Sequence, residues 1–365
     1  MNATKDNEDD RWDALAEDYP RGLVVVLGSG VSKASGIPMW KEFLIRSARQ
    51  IKTPTESAVL DMMIGCGFTL PVIASLLEER CGRGEHPRRE FIHALRTSLY
   101  EDFLERHQLT PPVDFSRGSQ ARKQFIEKVR ATEDGNTTLR AIGALCAIKT
   151  EDFKRNPNIR AIVTLNVDWL LQAFVRAHFD RDDRMSFVRT IDRPSASPTA
   201  GKIPVYHMHG LLRFDRKQDR PQKDAPDRVV ITEQDYFNVF NNPTSIFNYT
   251  ILHLLREQRC LFVGLSMTDE NVRRLLHYSK VERVESLEAE ELTDPDKIRK
   301  KVTRHYAVLQ HGKRSTDEAI EDTLAPLGTR VLWVNDFGEL PQRFECVYDK
   351  AHGTGQWEAV YRGVL

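Results

Sequence analysis

The stretch Leu23 to Trp40, LVVVLGSGVSKASGIPMW, limits what this chain can become more than any other. Leu23 to Leu27 is a continuous apolar run without alternation, which predicts a strand of a parallel sheet buried on both faces. It runs directly into Gly28, Ser29, Gly30, Val31 and Ser32, and then Gly36-Ile37-Pro38. Glycines at the carboxyl end of a first strand let the backbone turn sharply and come close to a phosphate, with the amides of the next turn facing the anion. The dinucleotide fingerprint G-x-G-x-x-G is not satisfied, because Lys33 stands where the third glycine belongs. What remains is a longer pattern, G-x-G-x-S-x-x-x-G-x-P, whose plainer reading is a tight strand-to-loop connection with no ligand.

Length and charge narrow the partners. The 365 residues suffice for one large α/β domain with an insertion, or for two domains. Lys plus Arg and Asp plus Glu both number 53, so no global field favours nucleic acid or an anionic membrane. No apolar run has the length of a membrane span, and the polar start MNATKDNEDDRWD lacks a signal-peptide core. The cysteines, Cys66, Cys81, Cys146, Cys260 and Cys346, stand singly with no C-x-x-C, so neither a structural zinc site nor a disulfide framework is expected. These features predict a cytoplasmic protein.

Along the chain, residues 1–20 are polar and acidic, either a short helix around Trp12 to Ala16 or a loose arm. Residues 21–365 read as one Rossmann-like domain, a doubly wound parallel α/β sheet interrupted by a helical insertion at about 41–158, where apolar residues keep helical spacing. Sheet text resumes at Ile159 to Leu165, ends in Asn166-Val167-Asp168, and is followed by an amphipathic helix for which Asp168 is a natural N-cap. Further strands are expected at Met185 to Ile191, through KIPVYHMHG to His209-Gly210, at Val229 to Thr232, at Cys260 to Gly264, at His305 to Leu309 and at Arg330 to Val334. Arg216 to Arg228 reads as an exposed loop, Glu270 to about Lys280 as a helix, and the charged stretch Val281 to Lys301 as a solvated helix or linker. Four strand ends carry polar or glycine-rich text: Gly28 to Ser32, Asn166 to Asp168, His209-Gly210 and Gly264 to Ser266. In such sheets ligands sit beyond the carboxyl ends of the strands.

Together these four stretches resemble the sirtuin family in its broad sense. The family's G-A-G-x-S and G-I-P are similar to Gly28-Ser29-Gly30-Val31-Ser32 and Gly36-Ile37-Pro38, its T-Q-N-x-D to Thr164-Leu165-Asn166-Val167-Asp168, its H-G to His209-Gly210, and its later G-x-S to Gly264-Leu265-Ser266. Deacetylating sirtuins carry two cysteine pairs for a zinc module after the H-G, and no cysteine lies between His209 and Cys260. Leu165 stands where the family has glutamine, and Met39 where it has an acidic residue. The chain thus resembles the bacterial defence-associated sirtuin-like proteins, which hydrolyse NAD to nicotinamide and ADP-ribose on sensing phage. That resemblance implies NAD+ as substrate, assembly into oligomers, and a partner such as a HerA-type ATPase.

Breaking the nicotinamide–ribose bond passes through an oxocarbenium-like state with a leaving group that is already cationic, so no general acid is needed. Asn166 suits orienting a ribose hydroxyl or the attacking water, and His209 taking a proton from either. Asp168 can hold a hydroxyl or oppose the developing positive charge, or simply cap its helix. Ser29, Ser32 and the amides of Gly28 to Ser32 would cradle the diphosphate, beside Pro38, with Gly264 and Ser266 contributing from a neighbouring strand end. The family places an aromatic near nicotinamide, which implies that role for Trp40; core packing is the plainer role for a lone tryptophan. His207-x-His209 on a strand would put two imidazoles on one face, as in some metal hydrolases, but no H-E-x-x-H accompanies them and no metal is expected. The principal expectation is an NAD+ hydrolase acting by NAD depletion. The alternatives are a non-catalytic module sensing NAD or ADP-ribose and an NAD-dependent protein deacylase.

Overall fold

The structure, a computed structural model, describes residues 8–51, 55–82, 87–110, 113–114, 119–130, 135–146, 158–178, 187–193, 196–214, 229–240, 246–290, 292–353 and 355–362. Among them seven strands form one sheet: β1 (Leu23–Leu27), β2 (Ile159–Thr164), β3 (Val188–Ile191), β4 (Ile203–His207), β5 (Arg259–Val263), β6 (His305–Gln310) and β7 (Thr329–Val334). Their order is β3-β4-β2-β1-β5-β6-β7 and every pairing is parallel. Helices cover both faces, which makes this the Rossmann-like doubly wound α/β fold expected from the alternation. The apolar run of β1 explains its central place. Leu23, Val25 and Leu27 enter the core on one face, while Val24 and Val26 enter the core on the other.

Between β1 and β2 lie α2 (Trp40–Ser47), α3 (Ser57–Gly65), α4 (Leu70–Arg80), α5 (Pro87–Arg106), α6 (Gln120–Arg130) and α7 (Thr137–Cys146). Their buried Phe91, Tyr100, Phe103 and Phe125 join the same core as the β1 side chains. The remaining helices are α8 (Leu170–His178), α9 (Glu233–Phe240), α10 (Ile246–Glu257), α11 (Glu270–Ala289), α12 (Pro295–Val302), α13 (Arg314–Leu324), α14 (Leu340–His352) and α15 (Gln356–Tyr361). No helix among the described residues is long and apolar enough to cross a membrane.

The amino-terminal stretch is α1 (Glu8–Asp18), docked on α14 rather than hanging loose. Trp12 meets Phe344 edge-on with ring centroids 6.2 Å apart, Leu15 is fully buried, and Arg11 grips Glu321 at 2.7 and 3.0 Å.

Three local expectations are corrected. Val229 to Thr232 is not a strand: the amides of Ile231 and Thr232 are taken by the Asp235 carboxylate at 3.1 and 3.0 Å, so they cannot join a ladder. The helix opened by Asp269 continues to Ala289 because Leu275, Leu276 and Leu287 keep a buried stripe through charged text, and α12 follows. The strand expected to reach His209 stops at His207. Met208 still donates to the Thr164 carbonyl at 3.0 Å, and the chain then turns, with Gly210 at φ +79° bonded back to His207. The Arg216 to Arg228 loop lies outside the described residues.

Candidate active site

β1 is flanked by β2 on one side and β5 on the other, so the order of connection reverses at its carboxyl end. A crevice opens at such a point, and the glycine loop forms its wall. Ser29 to Ser35 winds into a short 3-10 turn ending at Gly36, whose φ is +87°. The loop is pressed against the end of β5. A Cβ on Gly264 (φ +70°) would stand 2.6 Å from the Val31 amide nitrogen, and one on Gly30 would stand 3.0 Å from the Gly264 carbonyl. Glycine is required here for the loops to approach one another. Consequently the Gly28 and Gly30 amides donate to the carbonyls of Val263 and Gly264, both at 3.0 Å, and the Val31 amide to Gly28 at 3.2 Å. Three of the amides expected to cradle a diphosphate are therefore bonded within the protein, which leaves the Ser29 edge facing the recess.

A polar network joins this loop to the end of β2. The Asn166 side-chain amide donates to the Gly28 carbonyl at 2.9 Å and lies 3.5 Å from the Ser32 hydroxyl. Ser32 and Asn166 in turn bond Asp168, whose carboxylate accepts from the Leu170 amide at 2.9 Å, the first residue of α8. Asp168 thus performs the capping role open to it and faces the recess as well. Its burial raises its pKa above the ordinary carboxylate value, against the opposing effect of these bonds. Ser32, Asn166 and Asp168 are all buried.

These groups line a shallow recess of about 30 Å³, open to solvent, with Ser29, Pro38, Trp40, Phe43, Asn166 and Asp168 in its walls and Leu99 of α5 completing them. That is room for one or two waters, far below the roughly 300–1,000 Å³ of ligand pockets, so a dinucleotide enters only if the walls move apart. Trp40 opens α2, packs edge-on to Phe43 at 5.9 Å and is half-buried, so it serves as both wall and support.

The two histidines part company. His207 lies in the last ladder pair with Thr164 and turns toward α8. Its Nδ1 meets the Asn166 carbonyl at 3.3 Å, which can only accept, so Nδ1 carries the proton and Nε2 accepts from the Gln172 amide at 2.6 Å. Burial pushes its pKa down to about 4. His207 is a neutral post that holds the Asn166 backbone.

His209, two residues on, packs edge-on to Tyr236 at 5.7 Å, lies against the Leu165 carbonyl and senses the Asp269 carboxylate. Its Nδ1 is buried with no hydrogen-bond partner. Burial lowers its pKa and Asp269 opposes that shift, so the ring is neutral near pH 7. The shared strand face expected for the pair is not formed, because β4 has ended. Among the described residues no group of three potential metal-ligating side chains occurs.

Asn166 and His209 leave adjacent strand ends, each two residues beyond the Thr164–His207 pair. The recess itself gathers Ser29, Pro38, Trp40, Asn166 and Asp168, with Ser32 behind them. His209 lies next to Leu165, outside that lining. Gly264 supports the loop, and Ser266 is exposed, its hydroxyl 2.7 Å from that of Thr268. Sequence reasoning missed Asn136, which donates to the Val31 carbonyl and the Ser35 hydroxyl, both at 2.9 Å, and so fixes the loop from α7. It missed Tyr100 as well, whose hydroxyl accepts from the Trp169 amide and donates to the Leu212 carbonyl. Tyr236 and Gln172 also escaped notice, and the sequence offers Asp269 only as a helix cap, not as a neighbour of His209. All are long-range partners that no local spacing announces.

Residues 160–332 match the SIR2-like domain family. That stretch runs from β2 into β7 and contains Asn166, Asp168, His209, Gly264 and Ser266, whereas the glycine loop precedes it. No curated protein matches the chain. The fold is α/β, and residues 160–332 are similar to the SIR2-like domain, a class of domain that is NAD-related.

Proposed function

We propose that the protein is an NAD+ hydrolase, releasing nicotinamide and ADP-ribose, and that it acts as an effector of bacterial anti-phage defence by depleting NAD. The observation that carries the reading is the pairing, on adjacent strand ends, of a buried amide with a neutral histidine whose Nδ1 lacks a partner. An orphaned buried acceptor is costly unless something occupies it part of the time. In the reaction the bond from nicotinamide nitrogen to the ribose anomeric carbon breaks, water oxygen bonds that carbon, and one proton is lost from the water. Nδ1 of His209 is the acceptor available for that proton, directly or through a ribose hydroxyl. Asn166 orients the ribose, and the Asp168 carboxylate opposes the positive charge that develops on it. Trp40 and Phe43 give the nicotinamide ring an apolar wall.

The defence role rests on the resemblance to defence-associated sirtuin-like proteins, as do oligomeric assembly and a HerA-type ATPase partner. The deacylase alternative lacks the zinc cysteines, since none lies between His209 and Cys260. The test is incubation of the full chain with NAD+, alone and with a co-expressed HerA-type ATPase, following free nicotinamide by chromatography. Asn166→Ala and His209→Ala should each lower release at least about a hundredfold, the usual scale for a general base or a positioning group. Absence of nicotinamide in every assembly state would remove the hydrolase reading and leave NAD or ADP-ribose sensing. Release only with an acyl-lysine peptide would favour deacylation.

A further inference from the structure

A larger concavity than the recess lies at the opposite end of the sheet. It encloses about 530 Å³ where the amino ends of β5, β6 and β7 meet α1, α11 and α12. Its walls carry six cations: Arg259 opening β5, Arg304 just before β6, Arg330 in β7, Arg283 of α11, and Lys300 and Lys301 in the last turn of α12. Three carboxylates face them, those of Glu17, Asp18 and Glu290, which leaves a surplus of three positive charges.

The carboxylates are also poorly available. Asp18 already bonds Arg259 at 2.7 Å, Arg21 at 3.0 Å and the Tyr306 hydroxyl at 2.7 Å, and Glu17 lies 4.0 Å from Lys350. The side chains of Arg330, Lys300 and Lys301 make no hydrogen bond or ion pair among the described residues. Arg283 spends only its Nε, on the Lys301 carbonyl at 3.3 Å. Arg304 donates to the carbonyls of Arg256 and Glu257 at the end of α10, both at 2.9 Å, so it is fixed in place by the backbone and not by an anion. Lysines in the last turn of a helix are favoured by its dipole, and that alone accounts for Lys300 and Lys301. It does not account for four arginines from four separate parts of the chain converging on them.

The crowding is felt by neighbouring groups. Burial, then Arg283 and Arg259, push the Arg304 guanidinium down to about 10. Burial, then Arg304, Arg259 and Arg283, push the neighbouring His305 down to about 3. An uncompensated cluster of this kind raises the energy of the empty protein, and an anion that enters the cleft relieves it.

We propose that this cleft is a second small-molecule site, which binds a polyphosphate anion of the size of a nucleoside di- or triphosphate. The volume falls within the range of small-molecule pockets, roughly 300–1,000 Å³. Arginine forks from several directions match a chain of phosphates better than a single phosphate, which could engage only part of the ring. The site is separated from the glycine loop by the length of β5, on the order of 16 Å at about 3.3 Å per residue. It is therefore independent of the NAD reading.

The test is isothermal titration calorimetry on the full chain at physiological salt, with ATP, ADP, tripolyphosphate, AMP and orthophosphate as probes and a short duplex DNA as control. ATP and tripolyphosphate should bind, with orthophosphate weaker by at least about tenfold, equivalent to the loss of one charge-assisted contact. The double variant Arg283→Gln/Arg330→Gln should weaken both by at least about a hundredfold, two such contacts. The surface variant Lys301→Gln, which touches no core, should weaken them by about threefold to tenfold. ATP binding without tripolyphosphate binding, or binding unchanged in these variants, would place the anion elsewhere and overturn the proposal. So would duplex DNA binding with neither ATP nor tripolyphosphate taken up, or silence from every probe.

Discussion

Lowering the pH should weaken this fold through two histidines that are buried without charge. His207 is pushed by burial to about 4, and His305 by burial and the nearby arginines to about 3. In the unfolded chain both return to about 6.5. A base depressed in the folded state binds fewer protons there than in the unfolded chain. Stability is therefore complete above the unfolded value and is lost as pH falls from about 6.5 toward the folded values. Between pH 7.5 and pH 5.0 each histidine removes about 2 kcal/mol, or about 4 kcal/mol together, against a typical total of about 5–15 kcal/mol. His311, raised by its bond to Asp317, and Asp168, raised by burial, act in the opposite sense over the same interval. A variant comparison cancels them.

His207→Gln is the variant to use, because its amide can donate to the Asn166 carbonyl while its oxygen accepts from Gln172. Urea unfolding at pH 7.5, 6.0 and 5.0 reads the free energy by linear extrapolation. The variant should lose about 2 kcal/mol less than the parent chain between the extremes. Equal losses in the two proteins would show that the His207 site does not hold a neutral ring, and the tautomer argument that ties it to Asn166 would fail with it.

Other substitutions test other joints. Gly264→Ala meets both a φ of +70° and the Val31 amide, so it should cost about 2–4 kcal/mol by thermal or urea unfolding and abolish nicotinamide release. Trp12→Ala should cost about 3–5 kcal/mol, because α1 is part of the core; a loss below 1 kcal/mol would make it a detachable arm. Asp269→Asn keeps an N-cap on α11, so the melting temperature should hold, while the acid limb of the pH–rate profile should move to lower pH because Asp269 raises the pKa of His209. An unmoved limb would separate His209 from the titration.

Local text revealed the parts of the structure with local causes. The five apolar residues of β1, the alternating strands and helices after Ile159, and the polar ends of four strands all follow from burial on one or both faces of a sheet. The Val229 to Thr232 segment misled because its β-branched residues look like a strand, while Asp235 consumes the amides that a strand needs. His207 and His209 look equivalent in sequence, and only the end of β4 after His207 sends one to Gln172 and the other to Tyr236. The glycine text admits a phosphate contact or a tight ligand-free turn, and neither reading announces which residues the glycines touch. The structure shows their contact with one another across β1 and β5, residues far apart in the chain. The basic cleft was equally hidden, since its cations are scattered from Arg259 to Arg330 in a chain of balanced charge.

The SIR2-like match begins at residue 160, and the glycine loop precedes it by a whole helical block, yet the two meet through one side chain. Asn166 donates to the Gly28 carbonyl while His207 holds its own carbonyl from behind, so the amide has a fixed place and a bond to exchange. If the protein hydrolyses NAD+ as proposed, a ribose hydroxyl arriving in the recess would compete with Gly28 for that amide, and the glycine loop, held further by Asn136, would have to shift to expose its bonded amides to a diphosphate. On that reading, substrate entry and loop rearrangement would be a single event. Loosening the loop through Asn136→Ala should accordingly raise KM for NAD+ more than it lowers kcat. A fall in kcat with KM unchanged would mean that the loop is already set for the nucleotide, and the coupling argument would be wrong.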